Sequence, residues 1–171
     1  LIYFIAKFYR ESNFLPQRNY DDVEVLVHRQ SIVHSMVELQ DGAVIAQLSV
    51  PDMRECIQYA LTYPKVKPSA LERIDFCKLG ALTFSKYDAE TFPLLDFACE
   101  CYKRGGVIPS VLNGANEEAV AAFLQEKIKF PAISEAVMKV TSEFANKNEP
   151  TLEDIISAGF EARARVRELL K

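Results

Sequence analysis

The segment VEVLVHRQSIVHSMVELQDGAVIAQLSVPDMR, residues 23–54, decides the fold of the amino-terminal half of this chain. Apolar and polar residues alternate on both sides of Asp41-Gly42, which predicts two β-strands. Asp-Gly between such strands indicates a two-residue type I′ turn, because that turn needs positive φ at both central residues. We therefore predict an antiparallel hairpin in which the numbers of opposed residues sum to 83.

The two faces of this predicted hairpin differ in polarity. Opposed residues in an antiparallel pair point to the same side, so each face can be read from the register. We expect one face, apolar except for a serine, to rest on a core; it pairs Leu39 with Val44, Val37 with Ala46, Ser35 with Leu48, and Val33 with Val50. The other face places His34 opposite Ser49, beside the corner Pro51-Asp52-Met53. Such a polar face is available to solvent, a partner or a site.

Composition is typical of a globular protein of one or two domains. The chain has 171 residues, a net charge of −4 and 49% hydrophobic residues. No basic run indicates binding to nucleic acid or to a membrane surface, and no apolar run reaches the roughly 18 residues that a spanning helix needs. Without a C-x-x-C pair, the cysteines read as reduced, buried thiols of a cytoplasmic protein; they are Cys56, Cys77, Cys99 and Cys101.

The chain divides into a strand-rich and a helical part, which predicts the α+β class. We expect an antiparallel β-hairpin region with a helix, then a linker, then a C-terminal four-helix bundle. The predicted segments are a leader and loop at 1–22, the hairpin and helix at 23–64, the linker at 65–91 and the bundle at 92–171.

The predicted bundle region contains residues that are typical of the first turn of a helix. Pro93, Pro109 and Pro131 each suit the first turn of a helix, and Thr151 with Asp154 forms a capping-box pattern before a fourth. Apolar spacing predicts that this fourth helix buries Leu152, Ile155, Ile156, Gly159, Ala162, Val166 and Leu169. Upstream, Asp52 is the predicted N-cap of a helix that Pro64 ends.

The residues alone identify no active site. A strand histidine bonded to neighbouring backbone is a commoner reading of His34 than a catalytic role, and His28 reads as structural. Ser31 has no carboxylate–histidine pair near it in sequence, which gives a hydrolase triad little support. The sequence contains neither a G-x-G-x-x-G nor a G-x-x-x-x-G-K-[ST] motif, so no nucleotide fingerprint is present.

Three motifs in order carry a resemblance to a known family. They are HRQSIVHSMVELQDGAVIAQLSVPDM at 28–53, IDFCKLGALTF at 74–84 and LNGANEEAVAAFL at 112–124. Together they resemble the 1-deoxy-D-xylulose 5-phosphate reductoisomerase family, over about residues 22–171. Members of that family use NADPH and a divalent metal in non-mevalonate isoprenoid biosynthesis.

The resemblance implies roles for three residues. His34 matches the family's active-site histidine near the substrate, and Pro51 and Met53 match positions beneath the closing active-site loop and against the nicotinamide ring. It also implies a sugar phosphate substrate, NADPH, a divalent metal (Mg, Mn or Co), and a homodimer joined through the sheet. Residues 23–64 would then be part of the catalytic domain.

The departures from the family imply that this chain by itself is inactive. The family's dinucleotide-binding domain, its Asp-Ser-Glu metal motif and its phosphate-binding residues do not occur in these 171 residues. Ile2 and Ile5 stand where the family has acids, and isoleucine cannot ligate a hard cation. We therefore expect no metal ligand and no bound cofactor in this chain alone. The alternative is a non-catalytic interaction or dimerisation module that kept the scaffold.

Overall fold

The computed structural model describes residues 4–10, 23–39 and 41–171. The chain has the predicted α+β class and divides into two compact units, residues 1–87 and 88–171. The predicted domain limits at residues 64, 91 and 92 remain predictions, because this division places its boundary between residues 87 and 88. None of the helices in the described ranges has the length and apolar content needed to traverse a bilayer.

In its described residues, the first unit is a five-stranded mixed sheet with two helices. The strand order is β4-β3-β1-β2-β5, with β1 parallel to β3 and antiparallel to β2. The strands are β1 (Phe4–Arg10), β2 (Val23–Val27), β3 (Val33–Leu39), β4 (Val44–Leu48) and β5 (Ser85–Lys86). The helices are α1 (Arg54–Thr62) and α2 (Phe76–Leu79). The predicted linker 65–91 therefore contains a short helix and a short strand.

The prediction of a leader and loop at 1–22 is wrong for residues 4–10. These residues form β1, the central strand, with Ile5 opposite Leu26 and Ala6 opposite Ser35. A central strand reads as a nearly continuous apolar run and not as an alternation, and FIAKFYR has that pattern. The rest of the predicted leader, residues 1–3 and 11–22, lies outside the described residues.

The hairpin forms as predicted, but its register is wrong by one residue. Leu39 N donates to Ala43 O at 2.8 Å, and Gly42 N donates to Leu39 O at 2.9 Å. The loop is therefore one residue longer than a type I′ turn, and opposed residues sum to 82, as in Met36 opposite Ala46. Gly42 has a φ of 83°, the left-handed conformation that closes a three-residue hairpin loop.

The second unit consists of four helices at the predicted positions. They are α3 (Leu94–Arg104), α4 (Ile108–Leu124), α5 (Phe130–Ser142) and α6 (Leu152–Leu169). Proline lies at the start of α3, α4 and α5, where a missing backbone N–H costs no hydrogen bond. The capping box at Thr151 and Asp154 is confirmed, because each side chain accepts the other residue's backbone N–H.

The core of the second unit is made of small and branched side chains where α4, α5 and α6 meet. Ala158, Ala162 and Val166 of α6 are buried there. The predicted burial of Leu152, Ile156 and Leu169 is wrong, since these side chains are 66%, 50% and 39% exposed. Periodicity located the helix correctly but misplaced its inner face, which is centred on the smaller residues.

A close approach of backbones explains why the inner face carries small residues. A Cβ on Gly114 of α4 would overlap the carbonyl oxygen of Gly159 in α6. Beside this contact, the Ser110 hydroxyl donates to Ile155 O at 2.8 Å. An ion pair between Arg163 and Glu117 flanks the same pair of helices. The crossing of α4 and α6 therefore depends on a hydrogen atom in place of a side chain at Gly114.

We predict that Gly114→Ala destabilises the second unit, whereas Gly159→Ala has a smaller effect. The Gly114 Cβ meets fixed backbone, and such overpacking costs about 1–3 kcal/mol. At Gly159 the nearest atom is the rotatable Ser110 hydroxyl, 3.1 Å from the new Cβ, and the gain of about 1 kcal/mol in helix propensity offsets the strain. Denaturant unfolding followed by far-ultraviolet circular dichroism measures both variants. Equal stability of the two variants would contradict the close crossing.

The cap of α6 predicts a dependence of stability on pH. The side-chain hydrogen bond from Lys147, with those from Thr151, lowers the pKa of Asp154 from 3.8 to about 2. A depressed folded-state pKa gives a stabilisation that is complete above pH 3.8 and lost as the pH falls through about 2. Asp154→Asn should therefore weaken the acid sensitivity of unfolding between these values, while Glu153→Gln, at the next position, should not. Identical acid profiles for the parent and Asp154→Asn would contradict this prediction.

Candidate functional site

One extra residue interrupts β3 at His34. Val33 pairs with Leu48, and the next pair is Ser35 with Gln47. Strand β3 therefore advances by two residues where β4 advances by one. This is a β-bulge with His34 as the inserted residue. In an unbroken ladder, His34 would point to the side of Met36, because successive side chains alternate. The bulge instead turns His34 to the side of Gln47.

Two side chains of the β4 region hold the His34 ring. Nδ1 of His34 lies 3.1 Å from Gln47 Oε1 and 3.3 Å from Ser49 Oγ. The Ser49 hydroxyl donates to Val50 O at 3.1 Å. Ser49 is only 8% exposed, and its backbone N donates to Ile32 O at 3.0 Å. The sequence predicted His34 beside Ser49, and the two side chains are in contact even though the register behind that prediction is wrong.

The corner after β4 is held by Asp52. Its backbone N donates to Val50 O at 2.7 Å, and its carboxylate accepts both the backbone N–H and the guanidinium of Arg54. The Arg54 side-chain hydrogen bond is the main reason that the pKa of Asp52 is lowered to about 2. The helix begins one residue later than predicted, with Met53 and not Asp52 at the N-cap. Pro51 and Met53 are exposed, Met53 by 71%.

A cavity of about 270 Å³ lies between the end of β4, the start of α1 and the segment 69–76. Ser49, which contacts His34, is in its wall together with Val50, Glu55 and Arg73. Neither Pro51 nor Met53 lines it. His34 itself is not in the wall of this cavity and is connected to it through Ser49, while the two predicted cofactor-binding residues lie on the exposed corner that follows β4.

The turn before β3 is fastened to the segment that leads to β5. His28 is fully buried, its Nδ1 donates to Thr83 O at 2.8 Å, and its ring stacks on Phe84 at 4.8 Å. The Gln30 amide donates to Ala81 O at 2.5 Å and accepts from Thr83 N at 2.9 Å. These bonds give His28 a structural role and fix the point from which β3 starts.

The described residues offer no site for a metal ion. In ranges 4–10, 23–39 and 41–171, no group of three His, Cys, Asp or Glu side chains is placed to hold one. The cysteines are free thiols, and the prediction that they are buried is wrong for Cys56 and Cys77, which are exposed. Desolvation raises the pKa of the buried Cys101 thiol. A divalent cation therefore does not fit the side chains of this part of the chain.

The hairpin register predicted from the sequence did not identify Gln47 as a partner of His34. That register put Gln47 opposite Met36, which would leave the amide two positions from the imidazole. Only the bulge brings Gln47 and Ser49 to the same ring nitrogen. The sequence signal available was the alternation of polar residues in AQLS, which keeps Gln47 and Ser49 on one face of β4.

Comparison with protein families and with curated proteins gives consistent matches. Residues 48–165 match the model of the DXP reductoisomerase C-terminal domain. The 1-deoxy-D-xylulose 5-phosphate reductoisomerase of Acetivibrio thermocellus is 50% identical over 161 residues, which are 94% of this chain and 42% of that protein. The chain thus spans less than half the length of this curated relative.

Solved structures with a similar fold belong to proteins of the same description. A 1-deoxy-D-xylulose 5-phosphate reductoisomerase from Zymomonas mobilis, in complex with NADPH, superimposes with a TM-score of 0.78 and 43% identity. The match covers 85% of this chain and 39% of that one. A DOX-P reductoisomerase with fosmidomycin and magnesium gives a TM-score of 0.71 at 32% identity, covering 85% and 38%.

Proposed function

The chain belongs to the 1-deoxy-D-xylulose 5-phosphate reductoisomerase family, and we propose that it supplies one wall of the active site of such an enzyme. The proposed reaction converts 1-deoxy-D-xylulose 5-phosphate to 2-C-methyl-D-erythritol 4-phosphate with NADPH. The observation that carries the proposal is the bulge that turns His34 towards Gln47 and Ser49. A β-bulge next to an active site re-aims a side chain, and here it re-aims the histidine whose motif matches that of the family's active-site histidine.

We assign His34 to the sugar phosphate substrate. Its ring is half-buried, and Nδ1 is occupied by partners of the same sheet. The other ring nitrogen remains for a hydroxyl or carbonyl group of the sugar. An imidazole is suited to exchanging a proton with such a group near neutral pH.

We assign Pro51 and Met53 to the nicotinamide end of the cofactor. Both side chains are exposed on a corner that Asp52 and Arg54 hold together, so the corner offers a rigid apolar surface. A flat ring packs well against a polarizable thioether, which makes Met53 a fitting contact. When bound, NADPH supplies the hydride, and the corner orients its ring.

We propose that these 171 residues do not catalyse the reaction alone. The divalent cation does not fit the described side chains, and the sequence contains no dinucleotide fingerprint. Electrostatic stabilisation by the cation is expected to be a large part of catalysis in such a reaction. The metal ligands and the dinucleotide-binding domain would then come from polypeptide outside this chain, as the longer relatives suggest.

Three further features complete the proposal: a helical bundle domain, a cytoplasmic location and a homodimer. Residues 88–171 would act as a four-helix bundle domain, since α4 packs on α3, α5 and α6. The enzyme would act in the cytoplasm as a homodimer. In the part of the chain that the structure describes, β4 is at one end of the strand order, and Ile45 on this edge is 63% exposed. An edge strand without charge or proline is suited to pairing with a second copy.

A chimera tests the proposed activity. Residues 22–171 of this chain replace the matching region of the Acetivibrio thermocellus relative, which keeps its own segment in place of residues 1–21, and NADPH absorbance is followed with substrate and Mn²⁺. We expect turnover by the chimera and none by the 171 residues alone. His34→Ala should lower turnover by about 10²-fold or more, because a positioned acid–base group contributes that much. Met53→Ala should lower it with the fold intact, and Cys56→Ala, an exposed neighbour on α1, should not.

The outcomes separate the enzyme from the non-catalytic module. Turnover by the isolated chain would contradict the proposed incompleteness. A folded but inactive chimera would support the module, and unchanged kinetics in both His34→Ala and Met53→Ala would remove these residues from the site.

The oligomeric state tests the proposed dimer. Analytical ultracentrifugation of this chain should give a dimer, and Ile45→Lys should give a monomer because a charge blocks pairing at an edge strand. Phe160→Lys changes an equally exposed residue of the second unit, 67% exposed, and should leave the dimer intact. A monomeric parent chain, or a dimer that survives Ile45→Lys, would contradict pairing through β4.

A further inference from the structure

We infer that Gln47 and Ser49 are positioning residues that hold His34 as the neutral tautomer protonated at Nδ1, leaving Nε2 as the nitrogen that meets the substrate. The assignment of a substrate rests on the function proposed above, whereas the tautomer is a property of this chain alone. It narrows the role of His34, since an unprotonated Nε2 accepts a hydrogen bond from a sugar hydroxyl and cannot donate one to a carbonyl.

The proton count at Nδ1 gives the tautomer. A serine hydroxyl has one proton, and that of Ser49 is directed to Val50 O at 3.1 Å. Ser49 Oγ therefore faces His34 Nδ1, 3.3 Å away, with a lone pair. Gln47 Oε1, 3.1 Å from the same nitrogen, is an acceptor only. Two acceptors converge on Nδ1, so this nitrogen carries the proton and donates to both.

The backbone fixes these acceptors before any ligand binds. Ser49 is almost fully buried, and its N–H donates to Ile32 O, which ties it to the residue before β3. Gln47 is fixed by its pairing with Ser35, directly after the bulge. None of the described residues donates to or accepts from Nε2 of His34. The ring is therefore held on one side and open on the other.

His28 serves as an internal reference for measuring the tautomer of His34. It has two histidines, and Nδ1 of His28 donates to a backbone carbonyl, Thr83 O, at 2.8 Å. A carbonyl has no proton to give, so His28 must also be protonated at Nδ1. Its Nε2 is buried and has no partner among the described residues. The two imidazoles should therefore show the same tautomer for independent reasons.

Nitrogen NMR of the chain labelled with ¹⁵N in the imidazole rings measures both tautomers directly. In the neutral form of the rings, we expect His28 and His34 to show a protonated Nδ1 and an unprotonated Nε2. The double variant Gln47→Met/Ser49→Gly removes both acceptors, and His34 should change to a form protonated mainly at Nε2, as free imidazole side chains are. His28 should keep its spectrum. Gln47→Glu restores an acceptor oxygen and should restore the Nδ1 proton when combined with Ser49→Gly.

Three results would overturn the inference. They are His34 protonated at Nε2 in the parent chain, an unchanged His34 tautomer in the double variant, and no difference between Gln47→Glu and Gln47→Met in the Ser49→Gly background. If the double variant loses the His28 signature as well, the sheet is disrupted, and the single variants Gln47→Met and Gln47→Glu decide the question: Gln47→Met should weaken the preference of His34 for the Nδ1 proton, and Gln47→Glu should keep it. A correct tautomer with an inactive chimera would leave this inference intact and remove the proposed function.

Discussion

The arrangement of the candidate site depends on a single inserted residue in β3. A regular strand sends successive side chains to opposite faces, so the position of every polar group follows from the register. His34 breaks that rule, because the ladder steps from Val33 opposite Leu48 to Ser35 opposite Gln47. The imidazole therefore shares a face with Gln47 and Ser49 and lies next to the end of β4, where the corner at Pro51 begins. Without the bulge, the same sequence would place this ring among the side chains around Met36.

Among the side chains that the structure describes, backbone and side-chain hydrogen bonds hold the surroundings of the bulge, and Val33 is the buried apolar residue of this unit. His28 and Gln30 fasten the start of β3 to residues 81–83, and Ser49 N is bonded to Ile32 O at its end. Within the first unit, α1 has no buried residue. Its side chains at Ile57 and Leu61 are 54% and 81% exposed.

The second unit is organised by a different constraint, the close passage of α4 and α6. Gly114 allows the two backbones to meet, and the buried residues around it are alanine and valine. Asn146, from the loop between α5 and α6, bonds to the connection between α3 and α4. Its side chain accepts from Val107 N at 3.2 Å and donates to Arg104 O at 3.3 Å. That one amide satisfies backbone groups at the end of one helix and the start of the next, where they have no partner within a helix.

Local signals in the sequence predicted the helices well and the sheet less well. Proline and the Thr151 capping box act on the first turn of a helix, so the starts of α3 to α6 could be read directly. The inner face of α6 could not, since it depends on where α4 crosses at Gly159. Strand β1 was missed because a central strand has no alternation, and its partners are distant in sequence. His34 came from a family motif, whereas its partner Gln47 follows from a bulge that no local rule predicted.

The most direct test of this account is the pairing of β3 with β4 in solution, measured by interstrand nuclear Overhauser effects between backbone protons. We expect cross-peaks that pair Met36 with Ala46 and Val33 with Leu48, with His34 as the unpaired residue between Val33 and Ser35. A continuous ladder that pairs His34 with Leu48, or one that pairs Met36 with Gln47, would contradict it.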